Sequence, residues 1–267
     1  MNYLNEWNPF VAQWCRNLIE AGELPDAMVC ESDIREIDGA MLDGFTQCHF
    51  FAGIGGWPLA LRLAGWPADF PVWTGSCPCQ PFAACGPGGG MQDERHLWPD
   101  LFRLIEQCRP VCVFGEQSAD AIRQGWFDAL CDDVEGIGYT VRAAVTRACF
   151  VGAPHKRRRL YFVAYSDVSG LPRRWFNRDR PEQINPWARG VGVRGNAGRL
   201  RQIEPGVSPL AHGLPRSVGP GGTRGERLGL MAAKANRVGR IEGYGNAIVP
   251  QVAAVFVRSF MDSIAGE

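Results

Sequence analysis

Residues 46–66, TQCHFFAGIGGWPLALRLAGW, run from a short apolar strand through a glycine-rich turn into a helix. Gly53, Gly55 and Gly56 remove Cβ atoms where the chain must bend, and Pro58 falls near the first helical turn, where its missing N–H is least costly. A strand, tight turn and helix start in that order offer free backbone N–H groups to a ligand at the strand's C-terminal end. Taken alone, the pattern fits a purely structural turn equally well. It lacks the third-glycine spacing of a dinucleotide fingerprint and the lysine of a phosphate loop, so a ligand other than a nucleotide pyrophosphate is favoured.

Working outward, the same alternation repeats. Upstream, MNYLNEW reads as a short strand and PFVAQWCRNLIEAGEL as an amphipathic helix with Phe10, Trp14, Leu18 and Ile19 on one face. DAMVCESDIREID reads as a second short strand followed by a turn. Downstream, PVWTGSCPCQPF is a strand running into a loop, HLWPDLFRLIEQCRP a helix and VCVFGEQ a buried strand. WFDALCDDVEGIGY is a helix, TVRAAVTRACFVG and RRLYFVAYS are strands, and IVPQVAAVFVRSFMDSIA is a closing helix. Strands alternating with helices predict an α/β fold with a largely parallel sheet. The expected organisation is an α/β domain over 1–165, an irregular Gly-, Pro- and Arg-rich region over 166–240, and a C-terminal segment, 241–267, that returns to the first domain.

The 267 residues carry 28 Lys/Arg and 28 Asp/Glu, yet the balance is uneven. Residues 1–154 hold 9 basic against 20 acidic side chains, whereas 155–240 hold 18 against 5. A basic segment attached to an acidic body points to a polyanionic partner. No run approaches a membrane span and the N-terminus lacks the pattern of a signal peptide, so a cytoplasmic protein with reduced thiols is expected. The ten cysteines and four histidines form no metal-binding spacing, and no metal is expected.

One cysteine cluster stands apart. GSCPCQPFAACG, residues 75–86, places Pro78 and Pro81 around Cys79 and Gln80, stiffening a loop at the C-terminal edge of a strand, where α/β sites lie. A reactive cysteine needs an acid or cation nearby, and FGEQ supplies Glu116 at the end of a later strand. On this motif alone, Cys77 and Cys79 as inert residues of a rigid turn would be the better reading.

In order, however, the chain shows FAGIGG, PCQPF, GEQ, GAPHKRRRLYFVA and GYGNAIVPQVA, spread over residues 50–256. Together these resemble the DNA (cytosine-5) methyltransferase family. The resemblance implies a Rossmann-like fold of S-adenosylmethionine-dependent methyltransferases, with a mostly parallel sheet and a small irregular basic lobe. It implies S-adenosylmethionine as cofactor and double-stranded DNA as partner, with the target cytosine flipped out of the duplex. Cys79 would attack C6 of the ring, making C5 nucleophilic toward the sulfonium methyl group. Glu116 would contact N3 and the exocyclic amine. Arg159 would face the base O2 and nearby backbone, with Arg157 in support. Phe51 would face the adenine and Gly53 and Gly55 the methionine portion, with Ala52, Ile54 and Gly56 in the same cofactor-binding turn. Asn246 and Ala247 would approach the same region from the closing helix. Pro78, Gln80 and His155 would line the substrate side. Gln117 stands where the family has asparagine, His155 where it has glutamine, and Ala83 where serine is common.

The front end departs further. Only 22 residues separate Gly56 from Cys79, too few for the two strands and helix that usually lie there and bind ribose and adenine. NEWNPFVAQWCRNLI and SDIREI resemble those missing pieces. They are read as a local permutation in which two strands precede the glycine turn in sequence but keep their places in the sheet. Glu6 would then take the ribose hydroxyls, Trp7 would stack on the adenine, and Asp33, with Ile34 beside it, would accept the adenine amino group. The alternative is an N-terminal extension bearing an ordinary acid and a core tryptophan.

The segment from about 166 to 240 would read the DNA, with Arg173, Arg174, Arg178 and Arg180 among its phosphate or base contacts. SPLAHGLP, residues 208–215, resembles the motif before the closing helix, which would shorten the reader to 166–205. A monomer is expected. An RNA cytosine-5 methyltransferase and a catalytically silent DNA-binding relative are the alternatives, the second opposed by the joint presence of Cys79, Glu116, Arg157, Arg159 and the glycine turn.

Overall fold

Four-residue strands too short to stand alone make the front of the protein, and parallel pairing with non-adjacent partners resolves their order. β1 (Asn2–Asn5) lies between β2 (Ala27–Cys30) and β3 (Gln47–Phe50), parallel to both, with Tyr3 opposite Met28 on one side and Cys48 on the other. β3 continues parallel to β4 (Val72–Gly75), and β4 to β5 (Cys112–Ser118). β6 (Thr140–Arg147) and β7 (Arg158–Tyr165) form a hairpin whose β7 arm pairs antiparallel with β5. The sheet order is β2-β1-β3-β4-β5-β7-β6. The computed structural model describes residues 1–78, 96–155, 157–166, 193–194, 200–201, 243–244 and 246–265.

Helices cover both faces, as the near-continuous apolar runs of the central strands require. α1 (Pro9–Glu20) starts on Asn8, whose side chain accepts the N–H groups of Phe10 and Val11. It packs Val11, Trp14, Cys15 and Leu18 against Leu4, Ile54 and Leu59. α2 (Gly56–Ala64) and the closing α5 (Pro250–Ala265) lie together over Phe114, Tyr161 and Val163, and the Arg258 guanidinium donates to Leu63 O at 2.8 Å. On the opposite face α3 (Trp98–Cys108) and α4 (Trp126–Gly136) bury Trp98, Leu101, Trp126 and Leu130 against Phe50, Trp73, Val113 and Phe162. β8 (Val193–Arg194) and β9 (Leu200–Arg201) pair antiparallel within the expected recognition segment.

The period-two alternation of β5 decides where its polar end points. Phe114 belongs to the α2/α5 side and Val113 to the α3/α4 side, so Glu116 faces the former and Gln117 the latter. Between them and the core, Gly115 lets the strands close up. A Cβ there would overlap the Phe162 ring and stand 2.7 Å from the Gly75 carbonyl oxygen. The second contact is backbone and cannot rotate away. Gly115→Ala is therefore expected to cost about 2–3 kcal/mol, seen as a lower urea midpoint at unchanged slope.

The N-terminal strands occupy the flank of β3 away from β4, as the permuted order requires. The closing helix starts at Pro250, later than the apolar pattern beginning at Ile248 indicates. Tertiary packing explains this: Ala247, Ile248 and Val249 are buried without being helical. The strand read over 140–152 also ends early, because Ala148–Val151 close a single 3₁₀ turn on Gly152, whose φ is 79°.

Candidate active site

Three elements end at the same edge of the sheet: the glycine turn after β3, the loop after β4, and the polar tip of β5 with the start of β7. The turn is tight on one side and open on the other. Gly55, with φ 76°, leaves no room for a Cβ, which would overlap Leu24, whereas a Cβ on Gly53, with φ 55°, would meet nothing within 4 Å. Phe51 adopts φ 52°, an uncommon conformation for a side-chain-bearing residue, held by the hydrogen bond from Ala52 N to Asn5 O at 2.9 Å. Ala52 and Ile54 are buried supports.

Glu6 ties β1 to this turn. Gly53 N–H donates to its Oε2 at 2.8 Å and Asn8 N–H to its Oε1 at 3.0 Å. Burial raises the Glu6 pKa, and the two backbone donors oppose that rise. Next to it Trp7 projects into solvent, 72% exposed. Asp33 is half-buried and already has local partners: its Oδ1 accepts Arg35 N–H at 3.0 Å and its Oδ2 lies 3.6 Å from the Arg35 guanidinium. Ile34 is buried behind it.

On β5, Glu116 is 7% exposed and meets Arg159 Nε at 2.9 Å. Register explains the pair: Glu116 lies opposite Tyr161 and Ser118 opposite Arg159, so Arg159 is Glu116's diagonal neighbour on one face. Burial raises the Glu116 pKa above the usual carboxylate value, with Arg159 and then Arg157 pulling it back. Arg157 Nη2 donates to Ala247 O at 2.9 Å, fastening the closing segment to the start of β7. Asn246 is exposed beside Ala247, and His155 is buried at the corner that precedes Arg157.

The β4 loop leaves this edge under two restraints. Gln117 donates from Nε2 to Cys77 O at 3.3 Å, and Trp57 donates from its indole N–H to Ser76 Oγ at 3.0 Å. The Cys77 side chain is buried and desolvation pushes its thiol pKa up, which marks it as inert. Pro78 is half-buried. Cys79, Gln80, Arg173, Arg174, Arg178 and Arg180 lie outside the described residues.

The structure thus brings Glu6 to Gly53 and Glu116 to Arg159. It gives Gln117, read in sequence only as a departure, the task of holding the loop that leads to Cys79. Reading the sequence missed Asn5, which donates to Ser32 O at 2.8 Å and braces β1 against the segment before Asp33. It missed Trp57 and Ser76 as well; they touch across 19 positions and neither carries a motif. Among the described residues no group of His, Cys, Asp or Glu is arranged to hold a metal, and no helix is long and apolar enough to cross a membrane.

This is the fold of S-adenosylmethionine-dependent methyltransferases. The crystal structure of the S. pombe Dnmt2 methyltransferase aligns over 99% of both chains, with a TM-score of 0.52 at 12% identity. The C-5 cytosine-specific DNA methylase model matches residues 65–200, half of the protein, and the chain belongs to that family. Among curated relatives, the type II methyltransferase M.HhaI of Haemophilus parahaemolyticus is 23% identical over 58% of this chain and 58% of its own. M.CviJI of Paramecium bursaria Chlorella virus IL3A is 27% identical over 45% of this chain and 35% of its own. M.NgoBI of Neisseria gonorrhoeae is 30% identical over 38% and 34%. The chain spans between about a third and three fifths of the length of these relatives. The family match begins at residue 65, after the glycine turn, so strand pairing is what places the N-terminal strands.

Proposed function

We propose that this protein is a DNA (cytosine-5) methyltransferase that uses S-adenosylmethionine and a covalent bond from Cys79 to the target base. The observation that carries the reading is the convergence at one sheet edge of the Glu116–Arg159 pair, the tethered start of the Cys79 loop and the half-open glycine turn. Membership of the C-5 cytosine-specific DNA methylase family supplies the chemistry, and similar curated proteins are named type II methyltransferases.

The residues present fit the cofactor. Gly53 borders open space, Glu6 accepts only two backbone donors among the described residues, and Trp7, the residue after Glu6, is exposed. Glu6 would take ribose hydroxyls, Trp7 would stack on adenine, and Asp33 with Ile34 would border the adenine amino group. When bound, S-adenosylmethionine supplies an electrophilic methyl group. Cys79 adds to C6 of the flipped cytosine. Glu116, whose raised pKa keeps it protonated closer to neutrality, gives a proton to N3 and so takes up the charge that addition would otherwise leave on the ring. Arg159 holds that carboxyl in place and Arg157 locks the closing segment behind it.

The direct test incubates the protein with tritiated-methyl S-adenosylmethionine and a mixed-sequence duplex, followed by nucleoside analysis. Label in 5-methyldeoxycytidine is expected; label in RNA alone, or in no base, overturns the reading. For the cofactor side, Glu6→Ala is expected to weaken S-adenosylmethionine binding by about 10- to 100-fold, the loss of one or two hydrogen bonds to a charged group. Calorimetry measures it, and wild-type affinity in the variant would remove the N-terminal strands from the cofactor site.

A further inference from the structure

The β6–β7 hairpin carries two arginines that its own fold leaves unused. Arg147, the last residue of β6, and Arg158, the first of β7, are direct cross-strand partners, and both are exposed. Like charges placed opposite each other on a strand pair are destabilising. Neither side chain has a carboxylate or carbonyl partner among the described residues. The hairpin's other described arginines are all engaged: Arg142 with Ser263 Oγ at 2.7 Å, Arg157 with Ala247 O at 2.9 Å and Arg159 with Glu116 at 2.9 Å. Three residues past Arg147, in the 3₁₀ turn that joins the strands, Phe150 is 72% exposed.

This corner stands at the edge where the candidate site lies. Thr146 and Ser118 both pair with Arg159, so the end of β6 is level with the tip of β5 that carries Glu116. Alternation along β7 puts Arg158 on the side of Leu160 and Phe162, the face to which Gln117 also turns, while Arg159 stays on the Glu116 side. Arg147 is a cation in a stretch, residues 1–154, that is acidic by 20 to 9, and Arg158 opens the basic run that follows.

We propose that Arg147 and Arg158 grip the phosphate backbone of duplex DNA next to the flipped cytosine, and that Phe150 packs on the sugar or base edge exposed there. A phosphate placed between the two guanidiniums would relieve their repulsion and satisfy their donors together. This contact is separate from the 166–240 segment. It acts without regard to sequence, because backbone phosphates carry no base identity. The inference rests on the methyltransferase reading above and adds an anchor on the catalytic body itself.

Fluorescence anisotropy with a labelled duplex over a salt series tests it, using the full-length chain. The double variant Arg147→Gln/Arg158→Gln is expected to bind about tenfold more weakly near 0.1 M salt. Its plot of log affinity against log salt should be shallower by about 0.9, the share of the one phosphate held between the two guanidiniums. Phe150→Ala is expected to weaken binding several-fold with the slope unchanged, because stacking and apolar contact release no counterions. At saturating DNA both variants should keep wild-type turnover. A double variant with wild-type affinity and slope, against a wild type that binds and methylates duplex, overturns this contact alone. A wild type that binds no duplex removes the parent reading and this one with it. A loss seen only with structured RNA overturns the duplex assignment. All three positions are exposed, so Phe150→Ala should melt with wild type, and the double variant, relieved of the cross-strand repulsion, should melt no lower.

Discussion

Cys79→Ser is expected to eliminate the covalent complex with duplex DNA containing 5-fluorocytosine and to slow methyl transfer by about 10⁴-fold or more. Fluorine at C5 blocks the elimination that would free the enzyme, so the wild type should accumulate a band that survives denaturing electrophoresis. A hydroxyl is far less nucleophilic than a thiolate near neutral pH, and a serine at position 79 keeps shape while losing reactivity. The neighbouring cysteine makes the control. Cys77 is buried with its thiol pKa raised, so Cys77→Ala should still form the adduct. An adduct in the Cys79 variant, or its loss only in the Cys77 variant, would move the nucleophile elsewhere.

The second large effect concerns Glu116. Glu116→Gln is expected to lower kcat by about 10²- to 10³-fold, the usual contribution of a positioned proton donor, with little change in S-adenosylmethionine affinity. Burial raises the carboxyl's pKa, so the wild-type rate should fall as pH rises through that raised value, and the glutamine variant should lose this limb. Stability moves in the same direction. Because the folded pKa lies above the unfolded one, Glu116 contributes most below its unfolded pKa, and that contribution is lost as pH rises through the folded value. The variant should therefore be no less stable than wild type at alkaline pH. A variant that loses stability and activity together would make Glu116 a structural anchor for Arg159 and nothing more.

Most of the sheet could be read ahead of the coordinates because each strand was bounded by a helix or a turn with its own chemistry: Pro9 and Asn8 before α1, the glycines before α2, Gly65 after it. The permuted front end was readable from a shortage, the 22 residues between Gly56 and Cys79. The two strands placed before the glycine turn do join the sheet beside it, with β1 between β2 and β3. The candidate site was readable where short motifs lie at strand ends, as with Glu116 and Arg159. It was not readable where function depends on contacts between distant backbone atoms. Gln117 looked like a weakened asparagine until its reach to the Cys77 carbonyl was seen, a bond whose acceptor lies 40 positions away. Asp33 shows the converse. Its sequence context named it for adenine, while its carboxylate also caps a 3₁₀ turn, a role that short polar side chains fill wherever a chain turns.

The early strands also affect how the protein is made. The bond from Gly53 to Glu6 joins groups encoded within the first 53 positions, and β2, β1 and β3 complete their mutual pairing by residue 50. Translation proceeds from the amino end, so the backbone partners of these three strands precede the reactive cysteine, while their packing waits for Trp73, α3 and the closing helix. A ribosome stalled once residue 64 has emerged should therefore display a protease-sensitive chain, and resistance should come only with the closing helix.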